Sequence, residues 1–169
     1  SIDRVIFKPI PESAARVAAL LKGEIDIAND VPPDDAPTID KSGKARIEAV
    51  PSFITVMLGL NPQVPPLDNK LVRQAIWVAI DRESICKDIW KGYCIPNRGL
   101  IHPMDNFFDP KQPVLEYNPE KAKSLLKQAG YTGQPLQAYT STGNWPKDKE
   151  TMEAIQGWLQ AVGMKVNLE

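Results

Sequence analysis

The chain has 169 residues, 43% hydrophobic and 24% charged, an ordinary globular mix with enough length for one core. Its 20 basic and 21 acidic residues leave a formal net charge of -1, which gives no basic stripe for nucleic acid. No apolar run approaches the ~20 residues of a membrane span, and Ser1 opens directly into strand-like sequence with no leader pattern.

The first element is Ile2 to Ile10, rich in Val, Ile and Phe, which reads as a strand ended by Pro9 and Pro11. Glu12 to Lys22 reads as a helix with Ala14, Val17, Ala18 and Leu21 on its apolar face and Gly23 as its stop. Glu24 to Ala28 alternates as a short strand, completing a β-α-β expectation. Asn29 to Gly43 is polar and proline-rich and reads as a loop with one helical turn. The pair Asp34 and Asp35 resembles a two-carboxylate site, but capping a helix or facing water is the commoner role. Two further strands follow, Ala45 to Val50 and the almost wholly apolar Phe53 to Leu60, with Asn61-Pro62 as the end of the second.

Asp68 to Gly92 reads as two helical pieces. Asp68 or Asn69 caps the first, whose apolar face is Leu71, Val72, Ala75, Ile76, Ala79 and Ile80. Asp81 caps the second, Ile85 and Ile89 continue the apolar stripe, and Gly92 stops it. Tyr93 to Tyr117 has little periodicity and reads as a long packed loop; its His102 is a loop or surface residue. Asn118 to Tyr131 is a marked helix, with Asn118 as cap, Pro119 at the first position, Gly130 at the end and Ala122, Leu125, Leu126 and Ala129 buried. Leu136 to Thr140 reads as a strand and Lys147 to Val162 as a helix with Met152, Ile155, Trp158, Leu159 and Val162 inward. Gly163 ends that helix, and Met164 to Glu169 alternates as a final strand.

The chemistry-bearing motifs are sparse. No nucleophile elbow, zinc-protease helix, phosphate loop or dinucleotide fingerprint occurs, and a single histidine is a thin supply of base. These residues suit holding a ligand better than transforming one, so the expectation is a protein that is not an enzyme and uses no cofactor or metal. The loop Ser141 to Trp145 lies between a strand end and a helix start, where α/β folds place binding groups. Its Thr142, Asn144 and Trp145, with Asn61 at the end of the apolar strand, are the candidate ligand-binding residues. For Trp145 the competing role is packing, and for Asn61 it is capping a turn. The start of the Lys147 to Val162 helix suits an anionic group, unless its lysines are merely solvated. The two cysteines, Cys86 and Cys94, lack a metal spacing. Separate buried thiols are the first expectation and a disulfide across the Gly92 turn the alternative.

Four motifs in order resemble the bacterial solute-binding proteins that serve peptide, nickel and related ABC importers (family 5). They are Arg16 to Ala28; Leu58 to Asn61 with Pro65 to Asn69, Val72 to Ile76 and Ala79 to Arg82; Tyr117 to Leu126 with Ala129 to Tyr131; and Trp158 to Val166. The resemblance implies a mixed-sheet α/β chain that is part of a two-lobed periplasmic-binding-protein (type II) fold and a piece of a longer protein. It implies that residues 1–61 are the end of the first lobe and a crossing strand, and that 62–169 begin the second lobe. The implied activity is capture of a small solute, foremost an oligopeptide, outside the cytoplasm and delivery to ABC permease subunits in the membrane. The family's acidic partner for a peptide amino terminus would lie beyond Glu169. An uncovered inner face would favour self-association of this chain by itself. The alternatives from other classes are the sensing domain of a transcription regulator and a small carboxylate-dependent hydrolase.

Overall fold

The computed structural model describes residues 2–52, 54–97, 99, 101, 105–111, 116–141 and 145–169. The chain divides into two compact units, Ser1–Val50 and Pro51–Glu169.

In the first unit, α1 (Ser13–Lys22) ends where Gly23 turns left-handed, φ 74°, and its N–H and that of Glu24 return to Leu20 and Ala19 carbonyls. Val17 and Ala19 are the buried side chains, whereas Ala14 and Ala18 of the expected face are exposed. Arg16 bonds the chain on either side of this helix. Its guanidinium donates to the carbonyls of Ile10 (2.9 Å), Pro11 (2.7 Å) and Asp30 (3.0 Å). The proline-rich stretch holds more helix than one turn: a 3-10 turn Pro33–Asp35 runs into α2 (Ala36–Ser42), which buries Ala36 and Ile39. Asp34 and Asp35 therefore sit at a helix start, where the Asp35 side chain makes no capping hydrogen bond.

Of the strands expected at 2–10, 24–28, 45–50 and 53–60, the described residues form none. The composition is strand-like, but a strand exists only through a partner, and these stretches pair with nothing described here. Phe7 is 92% exposed, and Ile2, Ile27, Val50, Val56 and Met57 also face outward.

In the second unit, α3 (Lys70–Ala79) starts at Asn69, whose Oδ1 accepts the Leu71 N–H at 2.9 Å. Val72, Ala75, Ile76, Val78 and Ala79 are buried, a wider face than the pattern predicts because Val78 is enclosed as well. Against α3 packs α5 (Pro119–Gln128), capped by Asn118: Oδ1 accepts the Lys121 N–H at 2.8 Å, and the Asn118 N–H donates to the Val78 carbonyl at 2.7 Å. One asparagine thus starts one helix and binds it to another. Gly130 ends α5 at φ 67°, with its N–H and that of Tyr131 returned to Lys127 and Leu126.

The remaining elements form a β-α-β unit. Strands β1 (Pro135–Ala138) and β2 (Lys165–Leu168) pair in parallel, Leu136 beside Val166, with α6 (Asp148–Ala161) as the crossover. Ile155 and Leu159 of α6, with Val162, Met164, Leu136 and Val166, join the α3–α5 core, and Met152 and Trp158 pack at its edge. The architecture is mixed α/β.

Candidate functional site

Two connections meet the start of α6. The first leaves the carboxyl end of the parallel strand β1. Tyr139, just past β1, is well exposed, and Trp145, three residues before α6, is 46% exposed. A tryptophan buried in the core would lose nearly all its exposure, so packing does not use up this ring. Its backbone N–H reaches Asp148 Oδ2 at 3.4 Å, fastening the end of the loop to the helix. Thr142 and Asn144 lie outside the described residues.

The second connection is the segment after α3. Asp81 Oδ1 accepts the Ser84 N–H at 3.0 Å, and Ser84 Oγ donates to Oδ2 at 2.9 Å, starting α4 (Arg82–Ser84) as the sequence predicts. The continuation is not α-helical. Ile85–Ile89 is a π-helical turn in which the Trp90 N–H returns to Ile85 and the Gly92 N–H to Cys86. Lys91 and Gly92 both have positive φ, and the chain folds back so that Cys86 and Cys94, with Cα atoms 5.1 Å apart, form a disulfide. This corrects the expectation of two separate thiols: the reversal at 91–92 brings together residues whose spacing alone says little. Trp90 leaves this closed turn and donates from Nε1 to Thr151 Oγ1 in the first turns of α6 at 3.3 Å.

The charges at the start of α6 argue against an anion site there. Asp148 and Glu150 occupy its first turn. Lys147 Nζ pairs with Glu150 Oε1 at 3.0 Å, and Lys149 lies 3.8 Å from Glu153. The helix dipole is met by the protein's own carboxylates. Among the described residues no group of histidine, cysteine and carboxylate side chains could hold a metal.

Asn61 is exposed, and its Oδ1 accepts the Gln63 N–H at 3.0 Å. That is a local turn contact, and no hydrogen bond among the described residues links Asn61 to Trp145. Arg82 also has a structural role. It donates to the carbonyls of Trp77 (2.9 Å) and Ile80 (3.3 Å) and lies 4.4 Å from the Trp77 ring centre. Burial lowers its pKa from the ordinary arginine value. Tyr139, Trp90 and Thr151 were not singled out by sequence. The available signal was the cysteine pair bracketing a Trp-Lys-Gly turn.

The family profile described as bacterial extracellular solute-binding proteins, family 5 Middle, matches residues 1–169. The glutathione-binding protein GsiB of Pectobacterium atrosepticum is 31% identical over 99% of this chain and 32% of its own. The chain thus spans about a third of the length of the curated relatives it matches. Among solved structures, the periplasmic binding protein DppA of Helicobacter pylori in complex with the peptide STSA aligns over 95% of this chain and 31% of its own, with a TM-score of 0.78 and 28% identity. AgaA of A. tumefaciens R10 in complex with agropinic acid aligns over 95% and 33%, with a TM-score of 0.74 and 28% identity. The fold is part of the type II periplasmic-binding-protein fold shared with these proteins. With its whole described length matched by one family, the chain belongs to the bacterial extracellular solute-binding proteins of family 5, in their middle region.

Proposed function

We propose that this chain is part of the substrate-binding component of an ABC importer, which captures a small peptide-like solute outside the cytoplasm and delivers it to the membrane permease. The observation that carries the reading is the match to solute-binding proteins along all 169 residues. Supporting it is a tryptophan left 46% exposed where the β1–α6 connection meets the helix. The protein binds without transforming its solute, residues 1–61 belong to the first lobe and 62–169 to the second, and ligand affinity selects a closed arrangement of the lobes. Trp145, Thr142, Asn144 and Asn61 are the residues we propose to contact the solute. The Cys86–Cys94 disulfide fits an oxidising location, periplasmic or extracellular.

The test is a thermal-shift panel on the full-length protein with the peptides STSA and Met-Leu, glutathione and agropinic acid, followed by uptake of any hit in cells with and without the gene. A saturable shift with gene-dependent uptake supports the reading. Absence of any shift, or conversion of a probe to product, overturns it. A transcription-regulator reading has no observation in its favour. The exposed Phe7, Ile27, Val50 and Val56 also lead us to expect self-association of the isolated 169-residue chain; a monomer by sedimentation throughout the micromolar range contradicts this.

A further inference from the structure

We propose that the disulfide-closed turn Cys86–Cys94 is a positioning element for Trp145, acting through Trp90 and Thr151. The proposal rests on the solute-binding reading for its consequence in affinity, but its geometry stands independently. The links are consecutive. The disulfide closes a segment of sequence separation 8, and the N–H of Trp90 inside it is returned to Ile85, the residue before Cys86. Trp90 Nε1 bonds Thr151 Oγ1 at 3.3 Å, across 61 residues of sequence. The Thr151 N–H bonds the Lys147 carbonyl at 3.0 Å, and Lys147 holds φ 64° at the entry to α6. Two residues earlier, Trp145 is tied to Asp148 of the same turn. An exposed aromatic on a loop gains a defined orientation only if its anchor is fixed. Here the anchor is the first turn of α6, held from outside by a covalently closed turn. Trp90 and Thr151 are positioning residues and touch no solute.

The test uses the full-length protein labelled with 5-fluorotryptophan, with the Trp145 resonance identified as the one lost in Trp145→Phe. Thr151→Val keeps the side-chain shape and removes the acceptor; Cys86→Ala/Cys94→Ala opens the turn. Both are expected to shift or broaden the Trp145 resonance and to weaken calorimetric affinity for the peptide STSA by about threefold to tenfold, the loss of one neutral hydrogen bond. Lowered thermal stability with an unmoved Trp145 resonance in both variants overturns the proposal, because a merely stabilising turn would behave that way. An unmoved resonance at unchanged stability overturns it as well. If the unmodified protein binds none of STSA, Met-Leu, glutathione and agropinic acid, the solute-binding reading fails at that step, and the resonance alone decides whether the turn positions Trp145.

Discussion

Opening the disulfide is the perturbation whose size can be worked most directly. Cys86 is buried and is joined to Cys94 at a separation of 8 residues. Closing so short a loop removes freedom from the open chain worth about 2.5 kcal/mol in the chain-entropy relation. The native contacts that profit are local: Trp90 N–H to the Ile85 carbonyl at 3.0 Å, and Gly92 N–H to the Cys86 carbonyl at 2.8 Å. Hydrogen exchange reports the free energy of local opening. At about 1.4 kcal/mol per decade, 2.5 kcal/mol predicts roughly 60-fold faster exchange of these two amides in Cys86→Ala/Cys94→Ala. The assay is exchange mass spectrometry on the full-length protein, read on peptides covering 82–94, with α5 peptides as the internal reference. An acceleration of about threefold or less, worth only ~0.7 kcal/mol, would refute the reasoning. It would mean that the π-helical turn and the Trp90–Thr151 bond hold the segment without the covalent closure.

Three other outcomes follow from the same structure. Trp145→Ala should weaken binding of whichever peptide the full-length protein takes by about tenfold, the scale of one aromatic contact near 1.4 kcal/mol, and leave the melting temperature unchanged because the ring is largely outside the core; unchanged calorimetric affinity removes Trp145 from the site. Leu126→Ala should cost about 3 kcal/mol, since Leu126 is buried between α5 and its neighbours; a denaturant midpoint equal to that of the unmodified protein contradicts that packing. Gly130→Ala should cost about 1 kcal/mol: φ is 67° and no atom lies within 4 Å of an added Cβ, so the penalty is conformational alone. A larger loss in the same denaturant titration would point to a contact the geometry lacks.

What could be read before the structure was mostly local. Asn118, Pro119 and Gly130 mark the start and end of α5 because caps and left-handed turns are decided within four residues of sequence. The same holds for Asn69 before α3, Asp81 before α4 and Gly163 after α6. The β1-α6-β2 unit was legible because two strand patterns flank a helix long enough for a crossover. The extended stretches 2–10 and 54–60 were not settled in this way. Val, Ile and Phe favour a strand, but pairing is a long-range property that composition does not contain. Ile85 and Ile89, four apart, fit an α-helix as well as the π turn that forms, which the Trp90 N–H marks by returning five residues back to Ile85. The disulfide depended on the reversal at Lys91 and Gly92, which the two cysteine positions do not specify.

The candidate site was legible in part for a similar reason. A polar loop between a strand and a helix is a good place to look, and Trp145 is exposed there. The tie from Trp90 to Thr151 of α6 spans 61 residues, and no local pattern announces that contact. Asn61 makes a local contact. It is exposed, and its Oδ1 accepts the Gln63 N–H, the turn-capping role that the sequence sets beside ligand binding. The lysines beside α6 look like an invitation to an anion, yet Glu150 and Glu153 lie on the same helix surface and pair with them.

The most direct measurement is a calorimetric titration of the full-length protein with the peptides STSA and Met-Leu, glutathione and agropinic acid, with the recovered solutes checked for chemical change. Saturable one-to-one binding of at least one of them, with the solute recovered intact, is the expected result. No binding to any, or recovery of a cleaved or altered solute, would contradict a substrate-binding component and return the chain's role to question.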